Sequence, residues 1–183
     1  MLDYLKSNRL VFLLTLLTSV FYLNFAYDVV RSDFIKLISL YGALFFVTHK
    51  LLQISKGNFL TLAGIGILFR LIFIVAIPNL SQDFYRFLWD GRLLIQGINP
   101  YLFTPDQVLN HPTALLKVSM PQAQELFNGM GGLSASHFSN YPPINQLFFT
   151  ITAVFAGKSI LGSVVVLRVI MILADIGILY FGK

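Results

Sequence analysis

The stretch "SQDFYRFLWDGRLLIQGINPY", residues 81–101, gathers two aspartates, two arginines and the chain's single tryptophan. A carboxylate can take a proton from a hydroxyl and a guanidinium can grip a phosphate, so these residue types could do group-transfer chemistry. With Ser81 as cap, Asp83 in the first turn and Gly97, Asn99 and Pro100 as the stop, the spacing predicts a helix of about four turns. On that helix Asp83, Arg86 and Asp90 fall within about 60° of one another, while Phe84, Leu88 and Ile95 take the other side. Tyr85, Trp89 and Arg92 flank the apolar side, as expected of a helix lying in the lipid headgroup layer. Ordinary helix electrostatics explains the same residues. An aspartate near an N-terminus complements the dipole by about 0.3–1 kcal/mol, and an Arg86/Asp90 pair four residues apart adds a few tenths. Spacing alone favours that structural account.

The rest of the chain defines what must hold this segment. Of its 183 residues 56% are hydrophobic and only 11% charged, where a soluble domain carries roughly 25% charged residues. The composition is that of an integral membrane protein. There is no cysteine, which excludes disulfides, thiolate catalysis and Cys-based metal sites. The net charge of +5 is spread without runs, which offers nothing for a nucleic acid to bind. A helix needs about 20 apolar residues to cross the hydrocarbon, and about five stretches approach this: residues 10–27, 37–54, 59–79, 143–156 and 160–181. The expected fold is therefore all-α, one polytopic membrane domain over residues 1–183, with about five transmembrane helices and the amphipathic interfacial helix in a large loop at about 80–142. A cytoplasmic N-terminus puts Lys6, Arg9, Lys50, Lys56 and Lys158 inside and that loop outside. The first segment lacks a small-x-small exit and reads as a retained anchor.

Within the apolar stretches, Arg70 lies in the third and Arg168 and Asp175 in the fifth, where ionisable groups are costly and usually pair. An Arg70/Asp175 pair is geometrically open, and Arg70 could instead reach a lipid phosphate. His111 and His137 lack the spaced partners of a metal site and read as solvated loop histidines.

Together with "NYPPINQLFF" at 140–149, the 81–101 segment resembles the first exoplasmic loop of polytopic GT-C glycosyltransferases. The similarity is greatest to bacterial mannosyltransferases that use polyprenyl-phosphate mannose. Asp83 and Arg86 match the family's Asp-x-x-Arg-Tyr, with Phe87 in place of the tyrosine. Trp89-Asp90-Gly91-Arg92 matches its second element, and Gly97, Asn99, Pro100 and Tyr101 match its third. The resemblance implies a glycosyltransferase of the bacterial inner membrane that moves a sugar, mannose by this likeness, from a polyprenyl-phosphate donor to an exoplasmic glycan or lipid acceptor. Asp83 stands at the family's catalytic position. Phe84 follows it where related aminoarabinose and protein mannosyltransferases carry a second acid. Such enzymes have about twice as many spans, so the resemblance implies an N-terminal portion that is inactive alone.

Glycoside hydrolysis needs two carboxyl groups about 5–9.5 Å apart, because an alkoxide leaves poorly. Asp83 and Asp90 are about 10 Å apart along a helix. A phosphate departs as a stable anion, so one base and one cation suffice. Asp83 is assigned as the base, with Arg86, Asp90, Arg92 and Arg70 as donor-phosphate or supporting residues. Arg92, projecting toward headgroups, leans to an anchoring role. Tyr141 and His137, flanking the "YPP", are candidates to line the acceptor cleft. No cofactor is expected, and the sequence leaves open whether a divalent metal assists. The competing class is a non-catalytic membrane subunit, lipid-binding protein or transporter fragment, for which the surface helix would need only its apolar side.

Overall fold

A computed structural model describes residues 9–110 and 119–182. His111 and Lys6 lie outside the described residues. The described chain is all-helical, with α1 (Arg9–Tyr27), α2 (Phe34–Ile54), α3 (Phe59–Ile72), α4 (Asp83–Leu94), α5 (Pro105–Asn110), α6 (Ala123–Ala135), α7 (Pro143–Ala156) and α8 (Ile160–Phe181). Among the described residues α1, α2 and α8 are long and apolar enough to cross a membrane. Helices α3 and α7 are apolar but have 14 residues each, about 21 Å at 1.5 Å per residue. The expectation of an all-α membrane protein therefore holds, and of the five expected spans three are long enough to cross among the described residues. The third segment stops early because the backbone tightens. The N–H groups of Phe73, Ile74 and Ala76 each bond three residues back, and Pro78 then bars any resumption of the helix.

The chain divides into two compact units, residues 1–80 with 172–183, and residues 81–171, so that α8 contributes to both. In the first unit, Asp33 and Asn58 cap α2 and α3 by accepting the N–H groups of Lys36 and Thr61. Tyr22 of α1 packs its ring against Phe69 and Phe73. The Tyr27 hydroxyl donates to the carbonyl of Ile72 at 2.8 Å, and the Asn79 amide donates to that of Val29 at 2.6 Å. Large side chains such as Phe45, Phe46 and Leu60 remain exposed, as a lipid-facing surface requires. Arg70 meets Asp175 at 2.9 Å, a pair inside this unit.

In the second unit, α4 packs against both α6 and α7. Phe84, Leu88, Trp89 and Leu93 of α4 form a core with Leu126 and Met130 of α6 and Ile160 and Val164 of α8. The apolar side that the sequence assigned to headgroups is thus covered by protein. Helix α4 is buried on its charged side as well, at Arg86, Asp90 and Arg92. It is shorter than the span 81–97, because Gly97 takes φ +76 just beyond its end and turns the chain.

Candidate functional site

The acidic residues of α4 have opposite environments. Asp90 has no exposed surface. Its carboxylate accepts from Arg86 Nε at 2.8 Å, from Ser139 Oγ at 2.5 Å and from Gln146 Nε2 at 2.9 Å. Arg86 in turn donates through Nη1 to the carbonyls of Ser134 at 2.7 Å and His137 at 2.9 Å. This buried network ties α4 to the end of α6, to the 137–140 segment and to the first turn of α7. A buried ion pair needs such additional bonds to offset its desolvation. Asp83, one turn before Arg86, is exposed, and its carboxylate makes no hydrogen bond or ion pair among the described residues. Ser81 Oγ accepts the Asp83 N–H at 3.2 Å and so fixes the backbone beneath that carboxylate.

Asp83 and Arg86 line a concave space of about 630 Å³ with Gln82, His137, Ser139 and Tyr141. The structure thus gathers four of the sequence-selected residues, Asp83, Arg86, His137 and Tyr141, and sets Asp90 in the network beneath them. Arg86 Nη2 is buried without a hydrogen-bond partner among the described residues. The His137 ring contacts the Leu133 carbonyl through Nδ1 at 2.6 Å. A carbonyl only accepts, so that nitrogen carries a proton and, in the neutral ring, Nε2 keeps the lone pair. Burial pushes the Tyr141 phenol above its ordinary value. The charge of Asp83 adds to this rise, Arg86 opposes it, and Asp90 adds again. Tyr141 is therefore a neutral group in the site at physiological pH.

The other motif elements act by packing. A Cβ at Gly91 would stand 2.2 Å from the Phe149 carbonyl oxygen, so glycine allows α4 to lie directly on the α7 backbone. The ring of Phe87, where the family pattern has tyrosine, stacks on Phe149 and meets Tyr141 edge-on. Asn99 accepts the Tyr101 N–H through its side chain at 2.9 Å, and the Tyr101 hydroxyl donates to the Tyr141 carbonyl at 2.5 Å. The "GINPY" turn therefore tethers the "YPP" segment to the end of α4.

One expectation is corrected. Arg92 does not project toward headgroups: it is 1% exposed, donates from Nη1 to the Pro121 carbonyl, and borders a different cavity. Of the two partners the sequence left open for Arg70, the structure shows Asp175, at 2.9 Å. Ser139 and Gln146, both bonded to Asp90, escaped the sequence reading. The one available signal was a glutamine inside the otherwise apolar "PINQLFF". Among the described residues no cluster of three or more His, Asp or Glu could hold a metal ion.

The sequence model of the family described as alpha-(1->6)-mannopyranosyltransferase, N-terminal domain, matches residues 34–182. No curated protein and no solved structure matches the chain.

Proposed function

Starting from a chain that belongs to the alpha-(1->6)-mannopyranosyltransferase family and is a mannosyltransferase-like membrane protein, we propose that it is a GT-C type enzyme with Asp83 as general base. The donor is a polyprenyl-phosphate mannose, and the acceptor is a glycan or lipid hydroxyl at the outer face of the membrane. The observation that carries the reading is the contrast between the two aspartates: Asp90 is saturated by three donors, while Asp83 stands uncommitted at the rim of the concave site. A buried carboxylate already accepting three bonds cannot reach an acceptor hydroxyl in the concave space. An open one can.

In the proposed step the acceptor oxygen forms a bond to the anomeric carbon as the bond from that carbon to the phosphate oxygen breaks. The hydroxyl proton passes to Asp83, and the polyprenyl phosphate leaves as an anion without needing an acid. Arg86 supplies the cation. Its Nε is committed to Asp90 and its Nη1 to two carbonyls, while Nη2 is free of a protein hydrogen bond. The guanidinium is thus held rigidly, as electrostatic stabilisation of a departing phosphate requires. Tyr141 and His137 border the same space and serve the acceptor.

Asp83→Asn in the active enzyme tests this assignment. Insertion and donor binding should remain close to normal, while transfer falls by a factor on the order of 10²–10⁴. Near-normal turnover would remove Asp83 as the base.

A further inference from the structure

A second cavity of about 750 Å³ lies along the C-terminal part of α4, bordered by Arg92, Gln96, Pro121, Phe155, Lys158 and Ser159. Arg92 is nine residues beyond Asp83, about 14 Å along the helix, so this space is distinct from the one at Asp83. Its defining feature is a buried cation without a close counter-charge. Arg92 is 1% exposed and forms no ion pair among the described residues. The acid that bears on it is Glu125, which is exposed and bonded to the Gln122 amide at 3.0 Å.

The neutral contacts of Arg92 are incomplete. Nη1 donates to the Pro121 carbonyl, Nη2 reaches Gln122 Oε1 only at 3.4 Å, and Nε is buried with no hydrogen-bond partner among the described residues. Gln122 Oε1 is shared with the N–H of Ile160 at 3.1 Å, which weakens it further as an acceptor for Arg92. Burial of the guanidinium lowers its proton affinity, and the charge of Glu125 only partly opposes this. Leaving a buried charge uncompensated is among the costlier arrangements in a fold. At the mouth of the cavity stands Lys158, exposed, and beside it Ser159, whose oxygen accepts from the Gly162 N–H at 3.1 Å and whose hydroxyl proton can still be donated. Two cations and a hydroxyl therefore converge on one concave space.

We propose that this cavity binds a phosphate-bearing anion, with Arg92 and Lys158 as its cationic contacts and Ser159 as a donor. The phosphate can belong to an anionic lipid headgroup or be free in solution, and the two sources are separable by experiment. The site acts on the second unit as a stabilising ligand would, since binding to the folded form alone raises stability by mass action.

The purified full chain in a neutral detergent carries its own reporter, the single tryptophan Trp89, which is 1% exposed in the core of this unit. Thermal unfolding followed by its fluorescence should shift upward with inorganic phosphate, relative to chloride at equal ionic strength, if the ligand is free phosphate. If the ligand is a headgroup, the shift should instead appear in phosphatidylglycerol-containing vesicles relative to phosphatidylcholine alone. Lys158 is exposed, so Lys158→Gln and Lys158→Glu leave the fold intact. The first should weaken the apparent affinity for the effective probe several-fold, and the second should abolish the shift. Absence of a shift with both probes, or a shift equal in the wild type and Lys158→Glu, would overturn the proposal.

Discussion

Two aspartates seven residues apart on one helix illustrate how little residue type says before burial is known. Both were expected to support chemistry, and Asp90 ranked below Asp83. The structure makes their stability roles opposite. Asp90→Asn should destabilise the second unit by on the order of 3–5 kcal/mol, because it leaves the buried Arg86 uncompensated. Asp83→Asn should change stability little. Unfolding of both variants in detergent, read from Trp89, checks the pair, and equal stability would contradict the network. Tyr141 offers a second residue-level test. Its folded form holds the phenol proton more tightly than the unfolded chain, chiefly through burial and next through Asp83. As pH rises past the ordinary tyrosine range, near 10, the unfolded chain ionises first and stability is lost. Tyr141→Phe should lessen that loss, and Asp83→Asn should move the late tyrosine titration downward, measured by ultraviolet absorbance of tyrosinate. No movement would separate Asp83 from the site. The pattern of Asp83, Arg86 and Asp90 on one face was legible in the sequence. That Asp90 recruits Ser139 and Gln146 was not, because those partners come from residues about 50 positions away and depend on tertiary packing.

At the scale of elements, α4 carries the main lesson. Period and capping read from the sequence placed a helix here, but an amphipathic pattern cannot tell whether the medium on each side is lipid, water or more protein. In this chain it is protein on both sides, supplied by α6, α7 and α8. The motif glycine makes that possible. Gly91→Ala would drive a methyl group into the backbone of α7 at Phe149, which cannot rotate away, and should cost at least about 1–3 kcal/mol. Gly129→Ala meets the ring of Tyr85 at 2.7 Å, a side chain that can shift, and should cost less. Comparing the two melting temperatures checks whether α4 truly rides on the α7 backbone. A milder effect at Gly91 than at Gly129 would reject that packing. The early end of α3 was equally hidden, since every residue from 59 to 77 except Arg70 suits a membrane interior and only the backbone bonds show where the helix tightens.

For the whole molecule, the proposed reaction has a side. A polyprenyl-phosphate sugar used at the outer face requires the segment with Asp83 to be outside, and the positive-inside bias of Lys50 and Lys56 agrees with this arrangement, whereas Lys158, expected inside, shares a cavity with Arg92 and Pro121 and so lies on the side of the 81–142 segment. The chain contains no cysteine, so a single introduced thiol reports its own location without background. Asn110, at the end of α5, is exposed, and among the described residues its amide donates to Asp106 one turn earlier in the same helix, so substitution there leaves the described tertiary contacts in place. Asn110→Cys should react with a membrane-impermeant thiol reagent in intact cells. Lys56→Cys, exposed in the turn after α2, should react only once the membrane is opened. The two variants together require α3 to cross, even though its 14 helical residues span about 21 Å. Thinning of the bilayer or the non-helical 73–80 segment must then complete the path. If both thiols react in intact cells, α3 does not cross. If the pattern is reversed, the segment with Asp83 faces the cytoplasm, where the exoplasmic acceptor of the proposed reaction is out of reach.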